Sequence, residues 1–329
     1  MRRVFLFILI GMVFSGVGCS DFSSSKEEFF SNVLNSEGES ETLVADFEPA
    51  SGAAPSPKAN PKAEGPWNGR FLTAVSDDGL TWEKTQEIVG DQLNVPDLEY
   101  GPDDVLYLYF TGHTVGDLVN ATAVALSDDE GKTWYFKYLT FDGVDGYPAD
   151  ISAFYSQEKE LFFAYGNYIP LGGTKSTALF TSSDGIHFTF VETVFSSDPP
   201  GMVPGVLVIG EEVHLYTNTG GMNTVQHAVS RDGGYTFDRV DDFKMEIGRT
   251  SYFASNAVAV DGGYRMYAYD RGLGNITAFF STDGYDWSSE GVVLEVDLPY
   301  LESTFVKDPA VVQLRDGSWF MVYPTNIPD

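Results

Sequence analysis

A repeated pattern of seven or eight residues constrains this chain more than any other feature. Each copy joins Ser-x-Asp to a glycine and an aromatic residue; the copies are SDDGLTW from Ser76, SDDEGKTW from Ser127, SSDGIHF from Ser182, SRDGGYTF from Ser230 and STDGYDW from Ser281. Successive copies begin 48 to 55 residues apart. A fixed period of this length indicates an architecture that repeats one supersecondary unit around or along an axis.

A second series of segments alternates with the first and has the pattern of strand pairs. Each contains a short apolar run, a turn and a run in which every second residue is aromatic or aliphatic, as at Tyr107 and Tyr109. Such alternation predicts a β-hairpin. With the strands on either side of each Ser-x-Asp turn, every unit then has four strands, A to D, as in a β-propeller.

The strand order at the two ends of this domain predicts how the ring closes. The domain begins with a C–D pair at residues 71–89, runs through four complete units and ends on an A–B pair near Thr325. Pairing the last A and B strands with the first C and D strands completes a fifth blade and leaves no open sheet edge. We therefore predict an all-β, five-bladed propeller over residues 66–329. A β-sandwich would not explain the offset at both ends.

The N-terminal residues predict export. Residues 1–18 combine two arginines with an apolar run and small residues, and the single cysteine, Cys19, follows directly. This is the layout of a secretory signal. The end of the segment resembles a bacterial lipoprotein box, which implies lipidation of Cys19 and anchoring at the cell envelope; an ordinary secretion signal with an incidental cysteine is the alternative. Residues 19–65 are rich in Ser, Pro and Glu and predict a flexible tether.

Composition excludes several partners and sites. The chain has 48 acidic and 19 basic residues and a formal net charge of -29, which would repel the phosphates of a nucleic acid. One cysteine rules out an internal disulfide framework, and the four histidines form no HxxxH pair. We predict that the protein has no metal or cofactor, although the possibility of an ion in the channel stays open. We also predict that it contacts the membrane only through the anchor and that it is a monomer.

Residues with catalytic chemistry are predicted at one mouth of the central channel, where the A strands begin and where propellers bind ligands. From the sequence, the A strands start at Asp97, Asp150, Gly205, Asn256 and Asp308. Several carboxylates in a narrow channel suit sugar hydroxyls and acid/base work on a glycosidic bond. The predicted substrate-binding residues are Asp308, Lys307, Asn256, Arg249, Tyr252, His113 and Arg271.

Two resemblances to known families refine this expectation. Five blades, acidic strand starts and the KDPAVV segment from Lys307 resemble the arabinanase, β-xylosidase, invertase and levansucrase superfamily of glycosidases. The Ser-x-Asp turns resemble the Asp box, or BNR repeat, of sialidases, where it is structural. The glycosidase resemblance implies Asp97 as base, Asp150 as orienting carboxylate and a third-blade glutamate as acid. That glutamate is missing, so Glu302 is the predicted acid and Glu246 the alternative.

Other readings of the same residues stay open. A propeller that binds a glycan or a protein without cutting it would explain the missing third-blade glutamate. A sialidase would need three arginines at the mouth, whereas Arg231 and Arg239 fall in or beside a Ser-x-Asp segment on the other face. An aspartate at a strand start can also simply cap the backbone, which would make Asp97 and Asp150 structural.

Overall fold

The computed structural model describes residues 65–112, 121–144, 148–219, 225–241, 244–245 and 252–328. The predicted signal sequence, Cys19 and the tether lie outside these residues. In chain order the strands are β1 Gly69–Ser76, β2 Glu83–Asp91, β3 Leu93–Tyr100, β4 Leu106–Gly112, β5 Ala121–Ser127, β6 Tyr135–Tyr138, β7 Thr140–Asp142, β8 Ala149–Ser156, β9 Leu161–Tyr168, β10 Ser176–Ser182, β11 His187–Phe195, β12 Gly201–Ile209, β13 Glu212–Thr219, β14 Val225–Ser230, β15 Asp238–Arg239, β16 Lys244–Met245, β17 Tyr252–Val260, β18 Gly263–Asp270, β19 Asn275–Ser281, β20 Asp286–Leu294, β21 Ala310–Gln313 and β22 Trp319–Asn326. One 3₁₀ turn spans Pro102–Asp104. No helix in the described part of the chain is long and apolar enough to cross a lipid bilayer.

The strands form five sheets, which we call blades 1 to 5. Blade 1 has the order β3-β4-β5-β6, blade 2 β8-β9-β10-β11, blade 3 β12-β13-β14-β15, blade 4 β17-β18-β19-β20 and blade 5 β21-β22-β1-β2. In blade 5, β1 pairs with β22 along its whole length, from Gly69 opposite Asn326 to Ser76 opposite Trp319. The five-bladed propeller and its closure by the two ends of the domain are therefore confirmed.

Blades 2 and 4 each carry a fifth strand that the sequence did not predict. The short strands β7 and β16 pair in parallel with the outer strands β11 and β20. Both lie in the segment that arrives from the preceding blade. They cover an outer sheet edge that would otherwise offer unpaired backbone groups to another chain.

The loops that join the third and fourth strands of each blade all lie on one face, which we call the Ser-Asp face. The five Ser-Asp turns are Ser76–Trp82, Ser127–Trp134, Ser182–Phe188, Ser230–Phe237 and Ser281–Trp287. In the first, Asp78 Oδ1 accepts the N–H groups of Leu80 and Thr81, both at 2.7 Å, and the Ser76 hydroxyl at 3.0 Å. Bonds from the Thr81 and Leu80 amides lower the pKa of Asp78 to about 2. Each turn is thus closed by its own ionised carboxylate.

Buried tyrosines join each blade to the Ser-Asp turn of the next one. Their hydroxyls donate to glycine carbonyls: Tyr109 to Gly185 at 3.1 Å, Tyr165 to Gly234 at 2.9 Å, Tyr216 to Gly284 at 2.7 Å and Tyr267 to Gly79 at 2.8 Å. All four tyrosines are buried in the seams between blades. At the seam between blades 5 and 1, the ring of Phe320 faces Gly131 instead. The repeated turns therefore serve the ring as well as the blade that contains them.

Candidate active site

Irregularities at the start of the innermost strands shape the opposite face, which we call the mouth face. The innermost strands of blades 1 to 4 each show a register shift at this point. Nearby residues have positive φ: Val95 at 50°, Asp150 at 54°, Val203 at 48° and Asp308 at 36°. A bulge adds a residue and re-aims the side chains around it, and strained backbone of this kind gathers at functional sites.

The bulges correct the predicted equivalence of Asp97 and Asp150. Asp97 lies opposite Tyr109, whereas the residue opposite the corresponding Tyr165 is Ser152. Asp150 precedes Ser152 by two residues and takes the positive-φ position of the bulge. The expectation that the five A strands begin with equivalent residues is therefore wrong for Asp150. A bulge changes side-chain direction without leaving a mark in the sequence, because it adds one residue to an otherwise regular alternation.

Asp97 faces the neighbouring blade. Its carboxylate accepts the Ser152 hydroxyl at 3.2 Å and the Ala153 N–H at 2.8 Å. Glu99, two residues further along β3, accepts the Tyr155 N–H at 3.3 Å. The innermost strands of blades 1 and 2 belong to separate sheets, so these carboxylates supply the polar links between them.

Asp97 and Glu99 also line the central channel, a cavity of about 480 Å³ bounded by the innermost strands of all five blades. Burial raises the pKa of Asp97 to about 7, although hydrogen bonds from Ala153 and Ser152 favour its ionised form. Burial raises the pKa of Glu99 to about 8, and the nearby charge of Asp97 acts in the same direction. The channel therefore holds two carboxyls that retain protons near neutral pH. Glu99 was not among the predicted site residues, because it lies inside a strand whose residue pattern is that of an ordinary β-hairpin.

Asp150 is half-buried at the mouth. Its carboxylate accepts Asn167 Nδ2 at 2.6 Å and the Thr111 hydroxyl at 3.3 Å. Burial is the largest cause that raises the pKa of Asp150; hydrogen bonding to Asn167 opposes it, and the charge of Asp308 adds to it. Asp150 and Asp308 are thus close enough for the charge of one to affect the protonation of the other.

Each of these two carboxylates has a lysine nearby. Lys307 Nζ lies 3.4 Å from Asp308 Oδ2, and both side chains are buried. Lys175 lies in the loop between β9 and β10. Desolvation lowers the pKa of Lys175, while the charge of Asp150 opposes that shift. The mouth therefore combines a buried carboxylate, Asp308, and a half-buried one, Asp150, with two cations in their immediate surroundings.

The structure does not bring Glu302 to Asp97 and Asp150. One carboxylate oxygen accepts the N–H groups of Asp297 and Leu298, both at 2.9 Å. The other accepts the Tyr323 hydroxyl at 2.9 Å and lies 2.7 Å from Lys84 Nζ. Glu302 does not line the channel cavity. With both oxygens occupied and the side chain buried, Glu302 anchors the loop between β20 and β21 in this structure.

The predicted binding residues have varied positions. Asn256 lines the channel, and its side-chain oxygen accepts the Val311 N–H at 3.2 Å, the same kind of interblade link that Asp97 makes. Tyr252 packs edge-on against Phe279 with ring centroids 5.1 Å apart. The Arg271 guanidinium lies 5.2 Å from the centroid of the Phe253 ring. His113, Arg249 and Glu246 lie outside the described residues.

The described arginines do not form the triad that a sialidase needs. Three arginines have their partners on the Ser-Asp face. The Arg231 side chain donates to the Glu212 carboxylate, and the Arg265 side chain donates to the Asp78 carbonyl oxygen. The backbone N–H of Arg315 donates to the Glu130 carboxylate. Arg70 is buried in blade 5 and paired with Asp91 at 2.6 Å. Within the described part of the chain, no group of three or more His, Cys, Asp or Glu side chains is placed to hold a metal ion.

Comparison with known proteins supports the fold. No protein-family profile and no curated protein matches the sequence. The structure is similar to the GH43_1 enzyme from Xanthomonas citri, with 11% identity, a TM-score of 0.57 and coverage of 70% of this chain and 81% of that one. It is similar to an α-L-arabinofuranosidase from Clostridium thermocellum, with 17% identity, a TM-score of 0.52 and coverage of 69% and 81%.

A further similar structure is an N-acetylgalactosamine deacetylase from F. plautii, solved in complex with blood group B trisaccharide. The identity is 14%, the TM-score 0.53 and the coverage 74% of this chain and 81% of that one. Identities this low show a shared fold. The predicted resemblance is therefore confirmed at the level of architecture: the chain has the five-bladed propeller fold found in xylosidase and arabinofuranosidase enzymes.

Proposed function

We propose that this protein is an exported glycoside hydrolase that cuts a poly- or oligosaccharide at the mouth of the central channel. The observation that carries the proposal is the pair of carboxylates Asp150 and Asp308 at one mouth. Asp308 is buried and Asp150 is half-buried, both have positive φ, and the charge of Asp308 raises the pKa of Asp150. Glycosidases cleave with two carboxyl groups, one that gives a proton and one that acts as base or nucleophile.

The surroundings of the two residues support a different role for each. Burial and the charge of Asp308 raise the pKa of Asp150, which suits a general acid that protonates the leaving oxygen. Asp308 forms an ion pair with Lys307, and an ionised carboxylate is what a base or nucleophile requires. Asp97, the base implied by the sequence, instead supports the channel wall together with Ser152 and Ala153.

The sequence and the structural neighbours support the proposed substrate and location. Solved structures with this fold are described in complexes with xylose, xylotriose and a trisaccharide, which supports a carbohydrate ligand. The net charge of -29 favours a neutral polysaccharide over an acidic one. The signal layout at residues 1–18 and Cys19 support export and a lipid anchor. The proposed enzyme works as a monomer without a cofactor.

The test is a hydrolysis screen with matched variants. The purified protein is assayed on aryl glycosides and oligosaccharides of xylose and arabinose. Asp150→Asn and Asp308→Asn are each expected to lower kcat about 100-fold or more with unchanged folding, because each removes a proton-transfer or nucleophilic group. Asp261→Asn, at an exposed turn on the Ser-Asp face, is the control. Full activity in either mouth variant would refute these roles.

The alternative is a propeller that binds a glycan without cutting it. It is favoured by blade 3, where the positive-φ position holds Val203, so that this blade offers no carboxylate there. A protein that cleaves no substrate in the screen but is retarded in polysaccharide gels would support the binding function over the hydrolase.

A further inference from the structure

The most exposed large apolar side chains of the described residues all lie in loops of the mouth face. They are Ile169 at 62% exposure, Leu171 at 92%, Leu273 at 60% and Tyr300 at 90%. The first three lie in loops between the second and third strands of blades 2 and 4, and Tyr300 lies in the loop between β20 and β21. Among them, Tyr300 has a flat apolar ring with a hydroxyl at its edge, and 90% exposure leaves this ring free to contact a ligand.

The turn that carries Tyr300 is held rigidly. The Leu301 N–H donates to the Leu298 carbonyl oxygen at 2.9 Å, and Pro299 sets the backbone at the second position of this turn. The carboxylate of Glu302 accepts the N–H groups at the start of the turn and is itself fixed by Lys84 and Tyr323. Tyr300 is thus displayed at the tip of a turn whose base is buried.

The same loop continues without a loose segment to the candidate active site. The Ser303 N–H donates to the Thr325 hydroxyl at 3.1 Å, the Val306 N–H to the Gly274 carbonyl oxygen at 3.0 Å, and the Lys307 N–H to the Pro324 carbonyl oxygen at 3.0 Å. Asp308 follows directly. Eight residues separate Tyr300 from Asp308, so at most about 27 Å of chain joins the two. The ring is therefore fixed relative to the mouth at a distance that an oligosaccharide can span.

We propose that Tyr300 is a stacking platform for a sugar unit of a neutral polysaccharide whose reacting unit lies at the mouth. A flat ring with a hydroxyl at its edge suits a sugar, which offers an apolar face of C–H groups and a polar rim. The net charge of -29 disfavours an acidic polymer or an anionic membrane surface as the occupant. The inference rests on the proposed function, because it places the platform on a substrate that continues beyond the mouth.

The test measures binding apart from cleavage. Affinity electrophoresis in gels that contain arabinoxylan or linear arabinan is run in the Asp150→Asn background, so that hydrolysis does not change the gel. We expect Tyr300→Ala to weaken retardation about 10-fold through loss of ring stacking and buried area, and Tyr300→Trp to restore it. The control is Tyr135→Ala, which removes an exposed tyrosine, 44% accessible, from the outer strand of blade 1.

The outcomes separate the platform from the hydrolase. Unchanged retardation of Tyr300→Ala, or a parent protein that neither polysaccharide retards, overturns the platform. If the wild-type protein cleaves nothing but Tyr300→Ala still loses retardation, the platform is supported and the proposed hydrolase activity is excluded. If the wild type cleaves, the variant should show a raised KM on the polymer and an unchanged kcat on an aryl glycoside.

Discussion

The Ser-Asp face and the mouth face use the same residue type for opposite purposes. On the Ser-Asp face, Asp78 and its four counterparts are surrounded by amide and hydroxyl donors, and the pKa of Asp78 falls to about 2. Around the channel and its mouth, burial outweighs the donors and raises the pKa of Asp97, Glu99 and Asp150. The carboxylates that every blade repeats close turns and stay ionised, whereas Asp97, Glu99 and Asp150 each occur in a single blade and have raised pKa values.

The largest expected effect on stability concerns Glu302, which anchors the loop between β20 and β21 on the mouth face. We expect Glu302→Gln to lower the free energy of unfolding by about 3 kcal/mol, because it leaves Lys84 buried without its main partner. The effect stays at the low end of the range for such pairs since Lys84 keeps its contact with Asp297. Urea unfolding measures it, with exposed Glu295→Gln as control. A further change, Lys84→Met, should recover part of the loss; equal stability of Glu302→Gln and wild type would show that the loop needs no anchor.

A buried histidine pair next to a Ser-Asp turn should make the protein sensitive to acid. His214 Nδ1 lies 3.0 Å from His227 Nε2. Burial lowers the pKa of both rings, that of His227 to about 3. The folded state therefore binds fewer protons than the unfolded chain below about pH 6.5, and stability falls as the pH drops through that value, by up to about 1.4 kcal/mol per pH unit and group.

Urea unfolding between pH 7.5 and 5 measures this dependence. His227→Gln should make the free energy of unfolding depend less on pH, because one of the two buried rings that resist protonation is removed. The control is His187→Gln: His187 is exposed, and its bond to Asp184 raises its pKa, which is a shift of the opposite sign. A slope that survives His227→Gln unchanged would assign the acid sensitivity to other groups.

The tyrosine hydroxyls in the seams should show equal, smaller effects. We expect Tyr109→Phe and Tyr165→Phe each to cost about 1 kcal/mol of unfolding free energy, because each loses one buried hydrogen bond to a turn glycine. Tyr323→Phe should cost more, since its acceptor is the carboxylate of Glu302. Thermal unfolding compares the three variants, and unequal losses at the two seams would contradict the repeated role of the turns.

An effect of the opposite sign is expected at Asp97. Because burial raises its folded pKa to about 7, Asp97 reduces stability as the pH rises from about 4 through 7, when the buried carboxyl must ionise beside Glu99. Asp97→Asn should therefore raise stability more at pH 8 than at pH 5; the two pH units between pH 5 and the folded pKa limit this difference to about 2.7 kcal/mol, and the hydrogen bonds that the charged form accepts from Ser152 and Ala153 reduce it. Asn256 shows that an amide fits this position and accepts the next blade's N–H. A loss of stability at pH 8 would mean that the charge itself supports the channel wall.

Much of the architecture was readable from the sequence, and less of the site was. The period of the Ser-x-Asp turns and the alternation at Tyr107 and Tyr109 predicted five blades correctly, because both patterns are local. The same local reasoning set Asp97 and Asp150 at equivalent positions, which the register does not support. Glu302 was predicted as the acid because no residue near it in the sequence indicates that Lys84 is its partner.

The sequence by itself determined that this chain closes a ring of five blades, since strand pairing and turn chemistry depend on residues a few positions apart. Only the tertiary structure decided which carboxylates meet. One extra residue in a bulge placed Asp150 at a positive-φ position at the mouth, and burial by neighbouring blades raised the pKa of Asp97 and Glu99. Side-chain direction and dielectric surroundings arise from distant parts of the chain, which a repeat pattern does not encode.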